Sequence, residues 1–170
     1  MIKQSFTNFY HSPIGIILIK ISGGYVNELI YSNEDAEELP GEIKLSAADK
    51  NVLQNCIKQF DEYFSGKRKI FDLPVKQEGT VFQQKVWSEL IKIPFGKTIS
   101  YLQLAQQLGD AKSIRAAASA NGRNKLNIIV PCHRVIGSDG SLIGYGGGLP
   151  RKKWLLDHEN KYANGVSLLF

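Results

Sequence analysis

The chain has 170 residues, 43% of them hydrophobic and 22% charged, and a formal net charge of +5; this is the composition of a globular protein with room for one ordinary domain or two small ones. No apolar run is long enough to span a bilayer and the N-terminus lacks the apolar core of a secretory signal, so a cytoplasmic protein with no membrane association is expected. Two cysteines and three histidines make no disulfide framework and show no C-x-x-C or H-x-x-x-H spacing, so reduced thiols and no metal site are expected.

The first half reads as mixed α/β. IGIILIKI and YVNELIYS are β-branched runs joined by Ser22-Gly23-Gly24, a hairpin signal. SNEDAEELPGE follows as an acidic, turn-rich loop. Residues 46–66 predict a helix with Ser46 as N-cap and Gly66 at its end. Its apolar stripe is Leu53, Cys56, Ile57, Phe60 and Phe64, which makes Cys56 a small core hydrophobe. KIFDLPV is a further candidate strand that Pro74 confines to an edge or an end.

The chain changes character around Gln77 to Thr80. Residues 1–78 carry 9 Lys+Arg against 11 Asp+Glu, a net of −2, whereas residues 79–170 carry 12 against 5, a net of +7. Two domains are therefore expected, 1–78 and 79–170. The basic half suits a polyanion, of which nucleic acid is the commonest, and it equally suits a solvated basic face.

TVFQQKVWSELIKI predicts an amphipathic helix with Phe82, Val86, Leu90 and Ile93 on one side, and PFGKTIS a loop. Ser100 and Gln103 form a capping box that opens the helix YLQLAQQLG. Leu104, Ala105 and Leu108 face inward, and Gly109 ends the helix. Asp110 then caps AKSIRAAASAN, which stops at Gly122. Two short helices joined at a glycine resemble a helix-turn-helix. The small alanines let the second helix lie close to DNA with Arg115 rising from it; burial against a neighbour with Arg115 reaching to solvent fits equally well.

NIIVPCHRVIG reads as a short buried strand, Asn127 to Val130, stopped by Pro131 with Cys132 and His133 at its mouth. Neighbours on an extended segment point to opposite sides, so a water would have to bridge the thiol and the imidazole. A histidine base also needs a third group to fix its tautomer. PRKKWLLDHENKY supplies one, as a helix opening with Pro150 whose stripe is Trp154, Leu155, His158, Glu159 and Tyr162. A carboxylate on that buried face needs a cationic or donating partner; His133 is the first choice and His158 its competitor. GSDGSLIGYGGG is too small-residue-rich for a core and suits the wall of a pocket where a flat ligand meets backbone. No P-loop or dinucleotide fingerprint is present. A structural cysteine at a strand end remains the alternative to a thiol with its base.

VPCHRV, with ISYLQLA upstream, NGRN between, GYGGGLPRKKWLLDHE downstream and VFQQKVW at the start, resembles the O6-alkylguanine-DNA alkyltransferases, or methylated-DNA–protein-cysteine methyltransferases. The resemblance is dense over residues 79–160 and looser before, at SPIG and around YFSGKR. It implies an N-terminal ribonuclease H-like α/β domain and a winged-helix-like C-terminal domain whose helix-turn-helix approaches the minor groove. It implies DNA repair by irreversible, single-turnover transfer of the alkyl group of O6-alkylguanine, with O4-alkylthymine as a further substrate, to Cys132 of a monomer that could bind double-stranded DNA cooperatively. The damaged base is rotated out of the stack, since its O6 substituent is otherwise out of reach.

The resemblance makes His133 and Glu159 the activators of the thiol, has Asn124 orient them, and has Tyr101 help protonate the leaving guanine. Arg115 fills the gap left in the duplex, and Ser100, Tyr101, Lys112, Gly122 and Arg123 join it as DNA contacts. Val135 and the loop Tyr145, Gly146, Gly147 and Gly148 meet the guanine edge, with Lys152 nearby. No cofactor is implied, and zinc, bound by some relatives, is not expected here. The sequence departs from the family at Lys125, where proline is usual, at R-A-A-A in place of R-A-V-G, and at Y-G-G-G in place of Y-S-G-G or Y-A-G-G; the last predicts a wider pocket. The rivals are a damage sensor, which would lack Cys132, a Cys-His-Glu hydrolase, which would turn over, and a regulatory DNA-binding module.

Overall fold

The computed structural model describes residues 5–32 and 45–165. The acidic loop expected over residues 32–42 lies, but for Ser32, outside them. The chain forms two compact units, Met1–Gln77 and Glu78–Phe170.

In the first unit, β1 (Phe6–Ser12), β2 (Gly15–Ser22) and β3 (Tyr25–Ser32) form an antiparallel sheet in that order. The β2–β3 hairpin turns at Gly23 and Gly24, with φ of 61° and 79°, the positive values a two-residue hairpin loop needs at both central positions. Ile17, Ile19 and Ile21 alternate into the core with Val26 and Leu29, and α1 (Ala47–Phe64) packs on β2 and β3. Ser46 caps α1 by accepting from the Asp49 N–H. The buried face holds Val52, Leu53, Cys56, Gln59, Phe60 and Tyr63, while Ile57 and Phe64 are only half-buried. Burial pushes the Cys56 thiol up to about 12, as befits an inert core residue.

Two elements differ from expectation. β1 went unforeseen, because all but one of its residues are half-buried and its sequence FTNFYHS shows little contrast between faces. KIFDLPV is no strand: Val75 makes a single parallel bridge to Val26. The buried Gln59 amide holds this segment instead, donating to the Asp72 carbonyl at 2.7 Å and accepting from its N–H at 2.8 Å.

In the second unit, α2 (Val81–Ile91) opens with a capping box of Thr80 and Gln83. Val86, Trp87 and Leu90 are buried together with Ile93, whereas Phe82 is exposed and Trp87 takes the inward place expected of it. The Trp87 indole donates to the Ala120 carbonyl at 2.9 Å, and Gly79 has no Cβ because one would run into the Trp87 ring. The expected loop PFGKTIS contains β4 (Ile99–Ser100), which pairs in parallel with β5 (Val135–Ile136).

α3 (Tyr101–Gln107) carries the capping box of Ser100 and Gln103. Asp110 caps a single 3-10 turn, Ala111–Ser113, which runs into α4 (Ile114–Gly122). α5 (Leu149–Asn164) has Pro150 in its first turn. Its buried face is Lys152, Leu155, Leu156, His158, Glu159 and Asn160; Trp154 is half-buried and stacks on His158, and the exposed Tyr162 meets the same ring edge-on. Among the described residues no helix is long and apolar enough to cross a membrane.

Candidate active site

The strand expected over Asn127–Val130 is a tight turn. The Val130 N–H donates to the Leu126 carbonyl at 2.9 Å, the Ile129 N–H to the Asn127 carbonyl at 2.9 Å, and Ile128 sits at φ 74°. The run is apolar because it is buried, not because it pairs in a sheet. Asn124 organises it from the end of α4: its Oδ1 accepts from the Leu126 N–H at 2.9 Å and its Nδ2 donates to the Val130 carbonyl at 2.8 Å. The same Nδ2 donates to the Cys132 sulfur at 3.2 Å.

Cys132, His133 and Arg134 form one 3-10 turn that leads into β5, so the alternation of an extended chain does not apply to them. All three are buried, Cys132 to 3% exposure. Burial pushes the Cys132 thiol up, against the opposing pull of the Asn124 hydrogen bond and the Lys152 charge. At rest the group is a neutral thiol.

Glu159 meets His133 as expected, with 2.8 Å between His133 Nε2 and Glu159 Oε1. It also meets a partner the sequence reading passed over. Arg134 Nε donates to Glu159 Oε2 at 2.8 Å and Nη2 to Oε1 at 2.9 Å, while Nη1 donates to the Ile93 carbonyl at 2.6 Å. The Gly96 N–H adds a bond to Oε2 at 3.2 Å. Burial opposes the Glu159 charge, but His133 and Arg134 outweigh it and hold the carboxyl well below the usual carboxylate range. Burial also lowers His133, against the attraction of Glu159, which favours the neutral imidazole; in that form the nitrogen facing the carboxylate, Nε2, is the one that donates. Its Nδ1 is buried and makes no hydrogen bond among the described residues. His158, the competing partner, lies on the same helix within the aromatic stack.

Tyr101 extends the site toward the surface. Its hydroxyl donates to the Gly144 carbonyl at 3.1 Å and accepts from Asn121 Nδ2 at 3.4 Å; Asn121 also donates to the Cys132 carbonyl at 3.4 Å. Burial and the nearby Cys132 push the phenol up to about 12, against the Asn121 bond. Lys152 lies beneath the glycine-rich loop, donating to the carbonyls of Val135 and Ile143 at 2.6 Å each and of Gly144 at 3.3 Å. Desolvation lowers Lys152 to about 8. It holds the loop from behind without lining the cavity itself, and it occupies the Val135 carbonyl.

A largely apolar cavity of about 440 Å³ opens beside Tyr101, walled by Leu102, Ile114, Arg115, Ala118 and Gly122 from α3 and α4 and by Gly137, Ser138 and Ile143 to Gly146 opposite. The structure thus gathers Tyr101, Arg115, Gly122, Tyr145 and Gly146 at one opening. Gly147 is buried behind it, its carbonyl accepting from Arg151 at 3.0 Å. Ser100 is half-buried as the α3 cap, and the exposed Lys112 lies outside the cavity. Arg123 lines a separate hollow of about 340 Å³ with Glu78, Gln83, Trp87 and Lys125. Among the described residues no group of three His, Cys, Asp or Glu could hold a metal ion.

Arg134, Gly96 and Asn121 are the site residues that pattern reading missed. Arg134 could have been found by charge balance: a buried carboxylate that serves a neutral base needs a permanent cation elsewhere, and Arg134 adjoins His133.

Family models match both halves of the chain: 6-O-methylguanine DNA methyltransferase, ribonuclease-like domain, over residues 6–77, and 6-O-methylguanine DNA methyltransferase, DNA binding domain, over residues 81–161. The chain is 40% identical over 159 residues to the methylated-DNA–protein-cysteine methyltransferase of Mycobacterium tuberculosis, covering 94% of each. It is 40% identical over 157 residues to the constitutive enzyme of that name from Bacillus subtilis, covering 89% of this chain and 95% of the relative. The crystal structure of the M. tuberculosis O6-methylguanine methyltransferase superposes with a TM-score of 0.81 at 36% identity, covering 96% and 97% of the two chains. The structure of M. tuberculosis OGT in complex with DNA does so with a TM-score of 0.79 at 38% identity, covering 92% and 94%.

Proposed function

The chain belongs to the 6-O-methylguanine DNA methyltransferase family, and on that premise we propose that it repairs DNA by moving the alkyl group of O6-alkylguanine onto Cys132, once per molecule. The observation that carries this reading is the setting of the sulfur: a buried thiol hydrogen-bonded to Asn124, directly followed by a histidine bound to an ionised glutamate. His133 accepts the thiol proton at Nδ1 through one water, as a general base. The sulfur then forms a bond to the alkyl carbon, the carbon–O6 bond breaks, and its electron pair stays with guanine. Guanine regains one proton, for which Tyr101, which lines the cavity, is the donor. No cofactor takes part.

The flipped base enters the cavity beside Tyr101, where the backbone of Tyr145 and Gly146 borders its edge, with Val135 and Gly147 behind that wall and Lys152 bracing the loop. Arg115 projects from α4 at the cavity mouth, in position to fill the duplex gap, and Ser100, Lys112, Gly122 and Arg123 supply further DNA contacts. Residues 79–170 supply all these groups, and 1–78 form the other domain. The protein acts inside the cell, as a monomer on double-stranded DNA.

Intact-mass spectrometry after mixing with excess duplex containing O6-methylguanine tests this. One methyl group per protein, mapped to Cys132, is expected. Repeated turnover or an unmodified Cys132 would overturn the reading.

A further inference from the structure

Glu159 carries one negative charge and serves two neighbours. Arg134 takes both of its oxygens, at 2.8 and 2.9 Å, and His133 takes one of them, at 2.8 Å. The guanidinium never loses its proton, so the carboxylate is already matched before the imidazole is counted. Arg134 is also fixed in place, bound to the Ile93 carbonyl at 2.6 Å and set against the Phe95 ring at 5.9 Å. It therefore cannot swing away from Glu159 without leaving buried donors unpaired.

We propose that Arg134 is a positioning residue that neutralises Glu159 and thereby keeps His133 an uncharged base, with its proton on Nε2 and the Nδ1 lone pair available to the Cys132 thiol. This rests on the alkyl-transfer reading above. The physical ground is charge accounting in a dry site. A proton on His133 would add an unmatched positive charge to a fully buried pair, which costs far more than in water. The groups facing His133 agree. From α5 come Glu159, already matched, and the ammonium of Lys152, which repels a second cation; from its own turn come Arg134 and the neutral Cys132; and among the described residues no charged group of α2 acts on it. Without Arg134, His133 would become the cation nearest to Glu159 and would take up a proton to balance it. An imidazolium has no lone pair at Nδ1 and cannot serve as base.

A purely mechanical role, tying the end of α2 to α5, is the alternative, and pH separates the two. Single-turnover methyl transfer from an O6-methylguanine duplex is followed between pH 5.5 and 8.5 (about three units around the ordinary histidine value). The proteins are wild type, Arg134→Lys, Arg134→Met and the double variant Arg134→Met/Glu159→Gln, with the His133 imidazole followed by nitrogen NMR. Expected are a neutral Nε2–H imidazole in wild type throughout, and in Arg134→Met a rate that falls about tenfold per unit below about pH 7 as His133 charges. Arg134→Lys keeps the wild-type profile, and Glu159→Gln added to Arg134→Met brings the acid limb back to its wild-type position.

A parallel loss at every pH in Arg134→Met would leave only the mechanical role and overturn the proposal. So would an imidazolium at pH 6.5 in wild type, a measurement that stands even where Arg134→Met does not fold. Failure of wild type to methylate Cys132 would sink the transfer reading instead, while the NMR titrations would still decide the charge state of His133.

Discussion

The Asn124 amide and the Cys132 sulfur are 3.2 Å apart, and the nitrogen that donates to the sulfur also donates to the Val130 carbonyl at 2.8 Å. With Oδ1 taken by the Leu126 N–H, the amide has no freedom to turn. It offers a hydrogen to the sulfur that strengthens as the sulfur gains charge. Replacing it by alanine removes a charge-assisted bond, so Asn124→Ala is expected to slow methyl transfer about 10- to 100-fold. Asn124→Asp, which faces the nascent thiolate with an acceptor, should be slower still. Single-turnover rates and the rate of thiol capture by iodoacetamide both read this, and unchanged rates in the alanine variant would remove Asn124 from thiol activation.

Glu159 makes stability depend on acid in a defined direction. Its folded carboxyl lies well below the ordinary range because His133 and Arg134 overcome the cost of burial, whereas the unfolded carboxyl titrates near about 4.3. The contribution is therefore complete above that value and is lost as pH falls toward the folded value. Glu159→Gln should cost about 3–5 kcal/mol at pH 7, because it leaves Arg134 buried and unmatched. The gap to wild type should narrow between pH 5 and pH 3. Urea unfolding at pH 7, 5 and 3 measures it, and a gap of constant size would show the carboxyl to be unshifted.

Gly96 holds Glu159 through its N–H at a φ of +73°, and a Cβ there would collide with the Ala163 methyl and lie 3.2 Å from the Glu159 carbonyl. Gly96→Ala should destabilise the protein by about 1–3 kcal/mol. Gly96→Ala/Ala163→Gly should recover part of that loss, since it removes the collision but not the backbone strain. Thermal unfolding of both variants provides the comparison; no recovery would put the whole cost on φ.

Arg115 is exposed at the mouth of the cavity, across from the glycine-rich loop. Arg115→Ala should slow transfer from duplex by about tenfold or more, because extruding a paired base costs a few kcal/mol that the side chain helps offset. Reaction with free O6-benzylguanine, where no base has to leave a stack, should hardly change. Equal slowing of both substrates would place Arg115 in the chemistry instead.

Gly146 lines the cavity, and a Cβ on it would come no nearer than 3.8 Å to the Gly122 carbonyl. Gly146→Ser is therefore expected to alter stability by less than about 0.5 kcal/mol. It should lower the rate with benzylated guanine relative to methylated guanine by filling space at the wall. An unchanged rate ratio would show that the extra room at Gly146 does not govern adduct size.

Local signals with one physical meaning were legible in the sequence. Ser100 and Gln103 cap α3, Gly23 and Gly24 turn the hairpin, and Glu159 falls on the buried face of α5, each because neighbours in sequence settle the geometry. What escaped depends on partners far along the chain. Asn127 to Val130 has the composition of a strand, but no neighbour offers it an edge, and Asn124 folds it into a turn. Arg134 reads as the basic tail of a strand until α5 brings Glu159 to it from 25 residues away. Phe82 and Tyr162 fit their apolar stripes by period, yet both are exposed, Phe82 in the first turn of α2 and Tyr162 in the last turn of α5.

The seclusion of the Cys132 sulfur has a bearing on its lifetime. A group that can be spent only once is useless if peroxide, glutathione disulfide or a stray electrophile consumes it first. At 3% exposure and protonated at rest, the sulfur presents to the cell neither the surface nor the thiolate that such reagents need. His133 stands uncharged beside it, so deprotonation can wait for the one reactant shaped to enter. The core that makes Cys132 a poor nucleophile on average is thus also its storage container.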